Sequence, residues 1–505
     1  MSLQRASGVL LHPTSLPSRH GIGDLGKSAY EFLDFLQSSG QKYWQILPLG
    51  PTGYEHSPYI MNFSTFAGNP LLISLEKLAE QDLLDPEDLA PLLPTATTQP
   101  HVVEYDRAIA HKTPPLEKAA TRFFDKFPPG VHHDYEQFCR TQPWLEDFAL
   151  FMALVEENPD KTWNQWDAPL ARRNRPAMAT KRQELQHRVN YHKFTQFVFF
   201  DQWRQLRQYA NDRGIRIIGD ISIYVCFNSA DVWANPELFQ LDPETLDPAY
   251  IAGVPPDYFS ATGQLWGNPV YNWEKLEQTG FNWWFDRFRA TLNYADLVRI
   301  DHFRGFEAYW RVPAGEETAI NGEWVKAPGH VFFEKLGESL GHLPVLAEDL
   351  GLITPEVEEL RDRFNFPGMK ILQFAFGDDL THNPHLPHNY PQNSVVYPGT
   401  HDNDTAVGWW QSLDEAGKLR VTHYLGYDRP DQVSTVHWDL IRVALASIAD
   451  LAILPLQDLL GLDNSCRMND PSINAGNWRW RYPSSHLLAE DISQKLRHLT
   501  EIYRR

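Results

Sequence analysis

A chain of 505 residues with a formal charge of −20 is a poor partner for nucleic acid or anionic membranes, since both need a basic footprint. Hydrophobic residues at 42% and aromatics at 13% supply a large core, enough for about three average domains or for one α/β barrel enlarged by insertions. The 17 Trp and 20 Tyr suit uncharged partners that stack on rings, sugars among them, and Cys139, Cys226 and Cys466 are too widely spaced for a disulfide framework or a zinc pattern.

The first residues lack a signal-peptide core and no run of 18 apolar residues occurs, so a soluble, cytoplasmic protein is expected. Short apolar runs that end in polar, Gly or Pro residues recur along the chain. In order they are Ser7–Leu16, Tyr43–Leu49, Ile215–Val225, Leu297–Phe303, Leu343–Leu350, Met369–Phe376, Ser394–Asp402 and Leu451–Asp458. Helix-like stretches lie between them, and the first two close on Gly40 and Gly214, where helices commonly end. Eight alternating units predict a parallel sheet closed into a (β/α)8 barrel, with a doubly wound open sheet as the competing fold. The spacing is uneven. Segments at roughly 52–190 and 226–290, rich in Pro, Trp and charge, read as subdomain insertions in βα loops of one catalytic barrel spanning 1–505.

In such a barrel the strand ends face the active-site mouth. Those ends carry His12, Asp220, Arg299 with Asp301 and His302, Glu348 with Asp349, and His401 with Asp402. Any one of them could be a buried ion pair or a helix cap, but five strands ending this way would each incur a desolvation cost. An Asp beside Arg299 suits a nucleophile, and a Glu after the apolar "VLA" should have a raised pKa and donate a proton. That division fits a retaining glycosidase, whose carboxyl groups stand about 5–5.5 Å apart. A metal-dependent hydrolase would also gather His and Asp here, but "LLHPTSL" lacks the His-x-His pair it needs.

The motifs "RIDHFRG", "LAEDLG" and "GTHDND" closely resemble the catalytic strand ends of family 77 of the glycoside hydrolases, the 4-alpha-glucanotransferases. "SGVLLHPTSLPSRHGIGDLG", "SPYIMNFSTFAGNPLLISL", "GDISIYV", "PPDYFSATGQLWGNPVYNW" and "QDLLGLDNSCRMNDPSINAGNWRWR" extend the likeness from Ser7 to Tyr482. The resemblance implies a TIM barrel without a C-terminal β-sandwich, no metal or organic cofactor, and α-1,4-glucans as partners, whether maltooligosaccharides, starch or glycogen fragments. It makes Asp301 the nucleophile, Glu348 the general acid/base and Asp402 a third carboxylate that grips sugar hydroxyls. Arg299 would aim Asp301, His302 and His401 would bond the same sugar, and Asp220 would contact the neighbouring sugar or shape its site. Tyr59, and Tyr258, Phe259 and Trp266 of an aromatic lid, would stack on the acceptor. Asp378 and Asn469 are further implied sugar contacts. Ala261 departs from the lid pattern, where relatives often carry a longer, charged residue. "NWRWRY" is expected to pack the last strand against the first through Trp–Arg contacts, and Arg304 to serve as an ion-pair partner. A glucan hydrolase and a non-catalytic glucan-binding barrel stand as alternatives.

Overall fold

The computed structural model describes residues 3–505 apart from 54–55, 61, 96–97, 127–130, 257–259, 378–379 and 474. Its strands are β1 (Ala6–Leu10), β2 (Tyr43–Gln45), β3 (Arg216–Ile221), β4 (Tyr250–Val254), β5 (Gln264–Pro269) and β6 (Leu297–Ile300). They continue as β7 (Ala308–Pro313), β8 (Glu323–Lys326), β9 (Val345–Ala347), β10 (Gly368–Ile371), β11 (Ser394–Tyr397) and β12 (Leu451–Pro455). Eight of them close a parallel barrel in the order β1-β12-β11-β10-β9-β6-β3-β2. Each of these overlaps one of the eight expected apolar runs, and closure excludes the open sheet. The runs are apolar without alternation because helices cover the outside and side chains fill the inside.

The seam of the barrel is long and regular. β1 pairs with β12 from Ala6↔Leu451 to Leu10↔Pro455, and with β2 at Gly8↔Tyr43. A Cβ at Gly8 would sit 2.4 Å from the Tyr43 carbonyl oxygen, so this position tolerates no side chain. Trp44, fully buried in β2, donates its indole N–H to the Leu11 carbonyl at 2.8 Å. Phe32 and Trp203 flank it with centroids at 5.1 and 6.3 Å. A single aromatic thus binds β2 to the chain leaving β1 and to the long helix Gln186–Asp212.

A second sheet was not among the expected elements. Its antiparallel order is β5-β4-β7-β8, so the hairpin inserted after β3 and the hairpin inserted after β6 merge into one sheet. Its strands "YIAGV", "QLWGNP", "AYWRVP" and "EWVK" mix Gly, Pro and charge with apolar residues. No continuous apolar run marks them, because one face is solvated. Between β2 and β3 the chain is helical, including Tyr105–Lys126, Leu145–Glu157 and Gln186–Asp212.

The "NWRWRY" segment packs differently from expectation. Trp478 and Trp480 are buried, but Arg479 donates to the Val103 carbonyl at 3.0 Å and Arg481 to that of Ser18 at 2.8 Å. The Trp480 carbonyl accepts from Ser15 Oγ at 2.7 Å. The guanidinium groups are held by carbonyl oxygens, and the segment fastens the loop after β1 to residues 101–103 instead of joining the last strand to the first. No helix among the described residues is long and apolar enough to cross a membrane.

Candidate active site

β6 ends at Ile300, with Val298 and Ile300 wholly buried against the helices. Strand alternation turns Arg299 the other way, into the barrel, where it is 3% exposed. Its guanidinium bridges two carboxylates, Asp220 Oδ2 at 2.7 Å and Asp301 Oδ1 at 2.9 Å. Burial alone would lower the Arg299 pKa; the attraction of Asp220 and Asp301 outweighs it and holds it well above the ordinary value. The Tyr59 hydroxyl donates to the same Asp220 oxygen at 2.9 Å. Asp220 is pushed up to about 7 by burial, with Arg299 opposing and Asp301 adding to the rise. Its side chain has no exposed surface. Here it holds Arg299 and Tyr59 in place at the base of the site.

Glu348 follows β9, all three residues of which are buried. Its Oε2 accepts the His302 backbone N–H at 2.6 Å and its Oε1 that of Leu350 at 3.0 Å. Burial, reinforced by the neighbouring Asp301 charge, pushes Glu348 up to about 8. The turn that aims the His302 amide is left-handed, with φ 53° at a non-glycine residue, a costly conformation typical of functional sites. The His302 ring is lowered to about 3 by burial and then by Arg304. Trp266 meets it edge-on with centroids 4.9 Å apart.

Asp349 does not join the mouth. Alternation turns it outward, where it accepts the Met369 N–H at 2.7 Å and pairs with Arg361 at 2.5 Å. It clamps β9 to β10 and to the helix Pro355–Arg363. Arg304 also departs from expectation. Its guanidinium lies 3.7 Å from the Trp324 ring centroid and donates to the Leu352 carbonyl, so a ring and a carbonyl replace the expected acidic partner.

Asp402 faces the mouth with a side chain 41% exposed. Its Oδ1 accepts from Asn469 Nδ2 at 2.6 Å, and His401 Nε2 stands 3.4 Å from the same oxygen. His401 stacks on Tyr59, with centroids 5.2 Å apart and planes 5° from parallel, and burial lowers its pKa. Arg467, which sequence reasoning passed over, holds this loop together. It donates to the Asp402 and Asn469 carbonyls at 2.6 and 2.7 Å and pairs with Asp404 at 2.5 Å. The available signal was a lone Arg two residues before Asn469 in an otherwise polar loop. Tyr258, Phe259 and Asp378 lie outside the described residues.

The structure thus gathers Tyr59, Asp220, Arg299, Asp301, His302, Glu348, His401, Asp402 and Asn469 through a connected set of contacts. Two carboxyl groups in opposite environments result. Asp301 is ion-paired and 26% exposed, while burial and the Asp301 charge favour the protonated form of Glu348. Such a pair can attack a carbon with one member while protonating a leaving oxygen with the other. Among the described residues, no group of three or more His, Cys, Asp or Glu side chains is arranged to hold a metal ion. Arg299→Ala would leave the buried Asp220 without its cation. We expect a loss of about 3 kcal/mol or more in urea unfolding; an unchanged midpoint would mean that the pairing contributes little.

Comparison with known proteins bears on the family and the fold. The family described as 4-alpha-glucanotransferase matches residues 11–487. A 4-alpha-glucanotransferase of Synechocystis sp. is 55% identical, over 99% of this chain and 98% of its own length. One of Thermus thermophilus is 49% identical over 99% of both chains. The solved amylomaltase of Streptococcus agalactiae in complex with acarbose superposes with a TM-score of 0.95 at 40% identity, covering 99% of this chain and all of its own.

Proposed function

We propose a division of labour at this mouth from one premise: the chain belongs to glycoside hydrolase family 77 and is a 4-alpha-glucanotransferase. It moves a segment of an α-1,4-glucan onto the 4-hydroxyl of an acceptor glucan or glucose. Arg299 grips Asp301 Oδ1, leaving Oδ2 to attack the anomeric carbon. The glycosidic C–O bond breaks as Glu348 gives its proton to the leaving oxygen. A glycosyl ester on Asp301 results. The acceptor 4-hydroxyl then passes its proton to the Glu348 carboxylate and attacks the same carbon, freeing Asp301.

The carrying observation is the coupling of the two carboxyl groups through adjacent residues. Arg299 fixes Asp301 while the amide of His302 fixes Glu348, so both are oriented before substrate arrives. Asp402, braced by Asn469 and His401, is suited to bind a sugar hydroxyl pair, and Trp266 to stack on a ring. A cytoplasmic setting, without nucleic-acid or membrane partners, belongs to the same reading. Three free thiols and the charge of −20 support it.

Incubation with maltotriose alone tests transfer against hydrolysis. We expect glucose and longer oligosaccharides at a nearly constant total of reducing ends. A steady rise in reducing ends would favour the hydrolase.

A further inference from the structure

The mechanism leaves unused a partly open chamber that shares His401 with the mouth. It offers about 30 Å3 to water centres and is walled by, among others, His12, His401, Thr405, Asp458, Arg467 and Trp480. A water needs roughly 10–15 Å3 of such space and two or more polar partners, so two waters fit. Asp458 is 1% exposed. Its Oδ1 accepts the Ala406 N–H at 2.7 Å, at the start of the helix that follows the His401–Asp402 loop. Its Oδ2 is buried without a hydrogen-bond partner among the described residues, and so is His12 Nδ1. A buried polar atom left unsatisfied costs about 1–3 kcal/mol. His12 stands just past β1 at 8% exposure and lines the chamber together with His401 of the mouth.

We propose that two ordered waters join Asp458 Oδ2 to His12 Nδ1, and that the proton on Asp458 selects the tautomer His12 presents to the sugar. The inference rests on the glucan reading of the mouth. With Asp458 ionised, Nδ1–H donates through both waters to Oδ2, and Nε2 accepts from a sugar hydroxyl. A proton taken up at Nε2 is matched by the Nδ1 proton passing along the waters to Asp458. The chain of donors then runs the other way, and Nε2–H donates. His12 stays neutral throughout, since burial and then His401 lower it to about 3, whereas burial raises Asp458 to about 7. The other charged or titratable groups facing the chamber are His401 and Asp404 from the loop after β11, and Arg467, which Asp404 pairs. Asp458 is a positioning residue here, acting on the sugar only through His12.

The test uses the whole enzyme labelled with 15N in its histidine rings, with His12 assigned by its loss in His12→Gln. Between about pH 5.5 and 8.5 we expect a neutral His12 whose ring proton moves from Nδ1 to Nε2 as pH falls through about 7. Asp458→Asn keeps the acceptor for Ala406 and presents an amide N–H to the waters, so it should lock the Nε2–H form at every pH. KM for maltotriose should change about tenfold across the same transition, the worth of one hydrogen bond, and by much less in Asp458→Asn. A tautomer that does not move in the unsubstituted enzyme overturns the proposal, as does one that still moves with pH in Asp458→Asn. The ring spectra need no turnover, so their failure is distinct from failure of the transferase reading.

Discussion

Asp301→Asn is expected to lower kcat for maltotriose disproportionation by about 10⁴-fold or more, while the dissociation constant for the sugar changes little. The amide occupies the same volume and keeps an oxygen facing Arg299, which still pairs with Asp220 at 2.7 Å. What disappears is the oxygen that forms the glycosyl ester, and no other carboxylate at the mouth can replace it. Asp402 is oriented by Asn469 and His401, and Asp220 has no exposed side-chain surface. A second consequence is electrostatic. The Asp301 charge helps push Glu348 up to about 8 and also raises Asp220, so both should titrate lower in the variant. Kinetics and calorimetry on one preparation check both effects; near-normal turnover would remove Asp301 from its role.

Glu348→Gln should be almost as damaging, but in a way that depends on the leaving group. General acid–base assistance is worth about 10²–10⁴-fold, and a natural glucan donor needs it for bond breaking. A donor with a good leaving group, such as a maltosyl fluoride, does not need that proton, so the first step should recover. Deprotonation of the acceptor should then limit the rate. In the unsubstituted enzyme the acid form of Glu348 prevails below about pH 8. Accordingly kcat/KM should fall as pH rises through that value, and Glu348→Gln should lack this alkaline limb. Equal losses with both donors would argue that Glu348 serves binding instead.

The sequence made the barrel legible because its strands are buried on both faces and read as plain apolar runs. Their ends were harder to place. The first run was expected over Ser7–Leu16, yet β1 stops at Leu10. Leu11 and Leu16 stay buried in the loop that follows, and burial without strand geometry looks the same in a linear pattern. Direction was the second difficulty. Glu348 and Asp349 are adjacent in "LAEDLG", but strand alternation sends one to the mouth and the other to Arg361. The apolar "VLA" before Glu348 pointed to that residue as the proton donor, but nothing local marked Asp349 as turned away. The second sheet stayed hidden for a third reason: β4 and β7 are separated by the whole of β6, and their pairing is a tertiary event that no local signal announces.

The seam between β1 and β12 also sets a timetable. Leu10 leaves the ribosome roughly 440 residues before Leu451, its strand neighbour's first residue, and chains grow at about 5–20 residues per second. For about 20 to 90 s, then, one side of β1 has no strand to pair with, and an open strand edge invites foreign pairing. That edge is five residues of small and aliphatic side chains, Ala6 to Leu10, with a glycine at its centre. Its brevity limits how much of a stranger it can hold while the last strand is still being made.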